Sequence, residues 1–345
     1  MYKRQAIDAE SSSSSSSVDG ISETTSSFDV VGVGGTKANT AIEADGSLSS
    51  DVDFDLSSTA ESTHSDAAVV IGGDRLSGSD FEQINVGGDW VASSDIAASF
   101  IGSADSVVGD ADVTNKIDAI LGSSTTELLV KGSSDVDNNA DISLDYTSSS
   151  QSGDASTTSD LLQLVGLEID GATNAEIGGS LELDAETKAA INELATSESG
   201  TAITASVIHD GGGISLGNST TDAGFDADAS VEFNIEQISR STGSDAGASS
   251  TVSEIVAVEA DSQLQSGGDT SITADQSVSV EQNAYSIDGA STAVSSGANQ
   301  VGIELGTQEA AGQVQLIVNN FLGGEVEASS VLATASTEEI QNYLA

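Results

Sequence analysis

The chain has 345 residues and a formal net charge of −48, from 56 acidic residues against 8 Lys and Arg. Eight scattered cations cannot form the basic patch that binds nucleic acid or an anionic membrane surface, so both partners are excluded. No apolar run approaches the roughly 20 residues that span a membrane, and no cysteine is present to form a disulfide.

Residues 1–27 are predicted to form a flexible N-terminal arm. They contain a run of seven serines, Ser11 to Ser17, and few core-forming side chains, a composition typical of a linker. Residues 1–5 (MYKRQ) resemble a scar of sequence assembly, and the first ten residues lack the apolar stretch of a secretion signal. We therefore expect any export signal to lie upstream.

Residues 28–345 are predicted to form a β-rich body. Its clearest strand is Phe225 to Ile238, where apolar side chains alternate with acidic and polar ones. Because side chains alternate across a strand, this segment has one buried and one solvated face. Further strands are predicted in chain order at 28–33, 51–56, 67–71, 127–131, 141–146, 177–183, 202–209, 213–216, 252–260, 271–285, 301–305 and 313–322.

Three short helices are also predicted. Apolar residues at helical spacing indicate helices at Asp112–Leu121 and Asp184–Ala195, and a capping box, Ser336-x-x-Glu339, indicates one at Ser336–Leu344. Frequent turn signals without a fixed-period repeat favour a sandwich or roll over a regular solenoid. The predicted fold class is all-β, mainly an antiparallel β-sandwich or roll with a few short helices, and the Ser-rich stretch 147–159 is a candidate division into two lobes.

One segment has oxygen-bearing side chains at positions 1, 3, 5 and 7 of an EF-hand-type calcium loop. It departs from that loop at Ala140, where the loop has glycine, and at Tyr146, where the loop has a bidentate glutamate. A calcium ion bound here needs a carboxylate from elsewhere, and the alternative interpretation is an acidic hairpin turn. The candidate ligands are Asp135, Asp137, Asn139 and Asp141.

No catalytic motif is recognised, and we predict that the chain is not an enzyme. The segment Val31–Ala38 (VGVGGTKA) resembles the first phosphate loop of actin-like sugar kinases, but no second phosphate loop follows, and a glycine-rich turn is the preferred interpretation. His64 and His209 lack the spacing of metal ligands.

The composition, rich in Ser, Gly, Ala, Asp and Thr and poor in Lys, resembles that of bacterial extracellular filament, surface-layer and adhesin proteins. The resemblance implies an extracellular or cell-surface subunit that polymerises with itself. Since proline and lysine usually block sheet edges, the absence of proline and the scarcity of lysine favour assembly by donor-strand-like addition. The candidate assembly residues are Phe28, Val30 and Val31 near the N-terminus and Val314, Leu316, Val318 and Phe321 near the C-terminus.

Two other functions remain open. One is a monomeric adhesin module that binds calcium or carbohydrate, and the other is a secreted polysaccharide hydrolase or lyase. In the filament hypothesis the expected partners are further copies of the chain, together with divalent cations or extracellular polysaccharide.

Overall fold

The computed structural model describes residues 2–34, 38–169, 175–334 and 337–344, and every regular element in them is a strand. The strands are β1 (Tyr2–Ser17), β2 (Ser22–Gly34), β3 (Asn39–Ile42), β4 (Gly46–Ser62), β5 (Ala67–Val86), β6 (Trp90–Ser106), β7 (Ala111–Ile117), β8 (Ile120–Val130), β9 (Ser134–Ser150), β10 (Ala155–Ile169), β11 (Ala175–Ile177), β12 (Leu181–Ser197), β13 (Ala202–Leu216), β14 (Ser219–Thr221), β15 (Phe225–Ser241), β16 (Ala246–Ser266), β17 (Thr270–Ile287), β18 (Ser291–Ala310), β19 (Val314–Thr334) and β20 (Thr337–Leu344).

The chain passes back and forth between two sheets. Sheet 1 has the order β1-β4-β6-β9-β12-β15-β17-β19-β20, and sheet 2 contains the remaining strands. Neighbouring strands run parallel throughout the described residues, except that β20 is antiparallel to β19. Each round trip forms one coil that stacks on the coil before it. The architecture is a two-sheet parallel β-solenoid.

The predicted antiparallel sandwich is therefore wrong. Alternation of apolar and polar residues reports which side of a strand is buried, and that pattern is the same in parallel and antiparallel sheets. The connection between strands decides the direction, and here no two consecutive strands of the described chain pair with each other except β19 and β20, because the chain crosses to the other sheet before it returns.

The predicted helices are also wrong. Residues 112–121 lie in β7 and β8, residues 184–195 lie in β12, and β20 covers 337–344, while Ser336 lies outside the described residues. In β12 buried and exposed residues alternate without interruption. Apolar residues spaced as on one side of a helix are thus also compatible with a strand, provided that small or polar residues occupy the inward positions between them.

A repeat that was not recognised in the sequence organises the solenoid. Gly46 pairs with Trp90, 44 residues later, and Ser134 pairs with Leu181, 47 residues later. The coil therefore varies in length by a few residues, which removes a strict period. What recurs is a serine at the last or next-to-last position of each sheet 1 strand from β1 to β17: Ser17, Ser62, Ser106, Ser150, Ser197, Ser241 and Ser286.

These serines bond consecutive turns to one another. Ser197 Oγ donates to the carbonyl of Gly153 in the preceding coil at 2.7 Å and accepts from the N–H of Gly200 at 2.8 Å. Aspartates add a second ladder, since Asp154 Oδ1 accepts from the N–H of Thr201 in the next coil at 2.7 Å. The turns thus satisfy their own polar groups, which fixes the register of each coil on its neighbour.

The space between the sheets is filled by one apolar core that extends from Phe28 to Val280. In its first coils Phe28, Phe54 and Phe100 pack with ring centroids 5.0 to 5.7 Å apart. Farther along sheet 2 the two sheets approach closely at a column of glycines. A Cβ at Gly78 would lie 1.8 Å from Ser94 Oγ, so only glycine fits there.

The serine run that the sequence analysis assigned to the arm lies in β1 and pairs with β4, Ser15 opposite Ala60. Its inward hydroxyls form a network, with Ser13 Oγ 2.9 Å from Ser26 Oγ and 3.0 Å from Ser58 Oγ. Small hydroxyl side chains can therefore line a coil when they bond to one another. The stretch 147–159 likewise lies within the ladder, in β9, a turn and β10.

Candidate assembly site

The N-terminal end of the solenoid is formed by β1 in sheet 1 and by β2 and β3 in sheet 2. In the described residues each of these strands pairs on one side only. Phe28 is 9% exposed and packs into the core, while Val30 and Val31 are half-buried. These candidate assembly residues therefore belong to the first coil, and the feature that this end presents to a partner is its backbone edge.

At the C-terminal end the four other candidates lie on β19 and are exposed. Val314 is 48% exposed, Leu316 48%, Val318 45% and Phe321 59%. Sequence reasoning missed Leu322, which is 66% exposed. The sequence does contain a signal for Leu322, because its position places it on the same side of β19 as Leu316 and Val318.

The register explains why this exposure is unusual. Leu316 pairs with Ile272 of β17, and Val318 pairs with Ala274. Ile272 and Ala274 are both fully buried. The inward side of β19 thus continues the column of core residues, and β18 packs against part of it, but the described residues place no sheet 2 strand beyond β18 over the rest.

The last strand covers part of this edge. β20 pairs with residues 327–334 of β19, from Glu327 opposite Leu344 to Thr334 opposite Thr337. Residues 314–326 of β19 are left with hydrogen-bonding groups directed away from β17 and unpaired within the described chain. β18 is likewise the last strand of sheet 2. The C-terminal end therefore combines open backbone edge with exposed apolar side chains.

The predicted calcium ligands do not form a loop. Asp135, Asp137, Asn139 and Asp141 follow one another on the outer side of β9. Alternate residues of a strand are about 6.7 Å apart, so this row does not surround one cation. Within the described residues no group of three His, Asp or Glu side chains is arranged to hold a metal ion.

The row instead belongs to columns of carboxylates that cross sheet 1. Asp137 pairs with Asp184 of β12, which in turn pairs with Asp228 of β15. Burial raises the pKa of Asp184, and the neighbouring carboxylates of Asp228 and Asp137 raise it further. The outer side of sheet 1 is therefore a surface on which negative charges repel one another and on which cations are attracted.

A polar ladder lies inside the solenoid, and the sequence analysis did not identify it. Glu193, Gln237 and Gln282 occupy equivalent inward positions of β12, β15 and β17. Gln237 Nε2 donates to Glu193 Oε2 at 2.7 Å, and Gln282 Nε2 donates to Gln237 Oε1 at 2.6 Å. Burial raises the pKa of Glu193 to about 8, while hydrogen bonds from Ser159 and Gln237 oppose the shift. The sequence signal is a Glu or Gln at the same inward position of three successive coils.

The phosphate-loop resemblance and the two histidines were the other candidate features of the sequence. Gly35, Thr36 and Lys37 of the phosphate-loop resemblance lie outside the described residues. His209 Nε2 lies 2.9 Å from Asp160 Oδ1 on the outer side of sheet 2, and His64 Nδ1 lies 2.8 Å from the carbonyl of Val18.

No helix in the described part of the chain could cross a membrane. Comparison of the chain with protein-family models, with curated protein sequences and with solved structures found no match in any of the three.

Proposed function

We propose that the chain is an extracellular structural subunit that assembles into a filament by strand addition between the ends of successive copies. The observation that carries this proposal is the C-terminal end, where an open strand edge and the exposed side chains of Leu316, Val318 and Leu322 coincide. An unpaired edge is a template for pairing with another chain, and buried apolar area stabilises the contact.

The N-terminal edge of a second copy is a suitable partner for this end. Ala9 of β1 pairs with Phe54 of β4, and that register column continues through the sheet to Leu322 of β19. A following copy that continues the same ladder would set its Ala9 beside Leu322. In sheet 2 its β2 would follow β18 in the same way.

The two joined surfaces are different, so the contact does not close on itself. A head-to-tail interface of this kind generates an open fibre rather than a ring or a dimer. As in donor-strand assembly, strands of one copy extend a sheet of the next. The added strands run parallel to that sheet, however, and they remain part of their own solenoid. The high negative charge on the outer side of sheet 1 would keep fibres from associating through that side at low salt.

The test is to place a charge at the open end. Leu316→Asp and Leu322→Asp change exposed side chains, so we expect both variants to fold and to lose filaments in negative-stain electron microscopy. The matched control is Ser99→Asp, a half-buried outward position in the middle of sheet 1, which should still form filaments. Filaments of normal length in both end variants would overturn the proposal.

Calcium is tested in the same preparations. We expect filaments to survive a chelator, because backbone ladders and apolar contacts hold the ends together. Filaments that dissociate with the chelator would instead assign the joint to cations bound by carboxylates. Isolated particles under all conditions would favour the monomeric adhesin.

A further inference from the structure

The two outer surfaces of the solenoid differ in charge. We compare three successive outward positions on five strands of each sheet. On sheet 1 ten of these fifteen side chains are charged, namely Asp51, Asp53, Asp95, Asp137, Asp141, Asp184, Glu186, Lys188, Asp228 and Glu232.

On sheet 2 only three of the fifteen are charged. We name these fifteen residues the neutral face: Ala68, Val70, Gly72, Asp112, Thr114, Lys116, Ser156, Thr158, Asp160, Ile203, Ala205, Val207, Gly247, Ser249 and Thr251.

The neutral face is made of small and β-branched side chains in register. Val70, Thr114 and Thr158 lie side by side on β5, β7 and β10. Val70 is 37% exposed and Ile203 44% exposed, although both are apolar. Side chains of this size allow two sheets to pack face to face about 10 Å apart. For a chain with a net charge of −48, this is also the surface on which a second copy meets the least repulsion.

The charges that remain on the neutral face are arranged for self-recognition. Asp112 and Lys116 lie two residues before and two residues after Thr114 on β7. Lys116 is 57% exposed and lies 3.3 Å from Asp118 of its own chain. A twofold axis that runs parallel to the solenoid, midway between two facing copies and over Thr114, sets Lys116 of one copy opposite Asp112 of the other, and it does so twice.

The contact is large enough for a specific pair. Five strands about 4.8 Å apart and a strand of seven residues at about 3.3 Å each span about 550 Å² on each copy. The two copies together would cover about 1,100 Å², above the roughly 1,000 Å² that a specific interface needs.

We infer that the neutral face binds the same face of a second copy of this chain about a twofold axis that runs parallel to the solenoid over Thr114, so that Lys116 of each copy pairs with Asp112 of the other. The axis reverses the direction of the facing strands and keeps the two solenoids parallel, and both ends of both solenoids stay accessible. This lateral contact is independent of the end-to-end contact of the proposed function.

The experiment is sedimentation equilibrium of the full chain in the Leu322→Asp background, which is designed to prevent end-to-end growth. We expect a monomer–dimer equilibrium. Lys116→Asp and Asp112→Lys should each raise the dimer dissociation constant by roughly tenfold, since each places like charges opposite one another. The double variant restores both pairs and should return the constant to within about threefold of the starting value.

Lys188→Asp is the matched control. Lys188 is also an exposed lysine paired with an acid on its own strand, Glu186, but it lies on the outer side of sheet 1. This variant changes the net charge as Lys116→Asp does and should dimerise normally. Circular dichroism of each variant checks that the fold is retained.

Two results would overturn the inference. One is a monomer at every concentration, and the other is a dimer in which the double variant is no tighter than the single variants. Filaments of single width in the wild-type chain, combined with either result, would leave the proposed function intact.

Discussion

Leu322 of β19 and Val278 of β17 are register partners in the same sheet, yet Leu322 is 66% exposed and Val278 only 1%. The same inward column that forms the core in one coil is therefore open in the last. The difference lies in what covers the two strands, since residues such as Val252 and Ile255 of sheet 2 belong to the core opposite β17. β17 packs against both β16 and β18, whereas β19 packs against β18, so the end of the solenoid is a core surface that is only partly covered.

The first prediction concerns the axial repeat of the filament. Sheet 1 has nine strands, and removing the antiparallel β20 leaves eight that a following copy would continue. At about 4.8 Å per strand each subunit should add about 38 Å along the fibre. Helical reconstruction from electron micrographs should give this rise, and fibre diffraction should give a 4.8 Å reflection along the axis. A subunit rise unrelated to this product would exclude continuous ladders.

The second prediction concerns β20. Because it occupies the edge of residues 327–334, a following strand can pair with all of β19 only after β20 has left. Deleting residues 335–345 should therefore shorten the lag before light scattering rises and should leave the fibre morphology unchanged. As a control, the truncated chain with Leu322→Asp should not assemble. Slower assembly after the deletion would instead make β20 part of the joint.

The third prediction is a pH dependence of stability caused by Glu193. Its pKa is raised from 4.5 to about 8 in the folded chain, mainly by burial. Between these values the unfolded chain releases the proton that the folded chain retains, so stability falls as the pH rises. The loss should be about 1 kcal/mol per pH unit in this window and should level off above it.

Glu193→Gln removes the titrating group and keeps an amide that can bond to Ser159 and Gln237. The unfolding free energy of this variant, measured in urea from pH 5 to about 8, should decline less steeply than that of the wild type by this amount. Parallel curves for the two proteins would show that Glu193 does not control the dependence.

The fourth prediction concerns the ladder of turn serines. Ser197→Ala removes one donated and one accepted hydrogen bond, to Gly153 and from Gly200. The cost should be about 1–2 kcal/mol of unfolding free energy, because two half-buried backbone groups lose their hydrogen bonds. Ser199→Ala in the same turn is the control, since Ser199 is exposed and should tolerate the change within about 0.5 kcal/mol. Equal losses in both variants would argue against the ladder.

The sequence predicted the strand content of the body but not its direction or its stacking. The segment from Phe225 lies in β15 with the burial pattern that its alternation indicated. Parallel pairing could not be read from it, since Phe225 contacts residues 44 and 45 positions away in the chain, Leu181 and Thr270. Such distant partners are identified only by comparing whole coils, and the coils share parity and turn serines more than residue identity.

The assembly residues were predicted unequally. Val314, Leu316, Val318 and Phe321 were candidates because they are apolar residues of a C-terminal strand, and the structure places them at an exposed end. Phe28 has the same character, but it packs against Phe54 and Phe100. The sequence does not distinguish the two cases, because exposure depends on whether another coil follows.

The turn ladders make each coil a complete unit, since the contacts that set its register are made to the coils directly above and below. A gene that gained or lost one stretch of 44 residues, such as 90–133, would still join one turn to an equivalent turn. The body would lengthen or shorten by about 4.8 Å while both ends stayed the same. Recombination can therefore change the length of the subunit in steps of one coil during evolution.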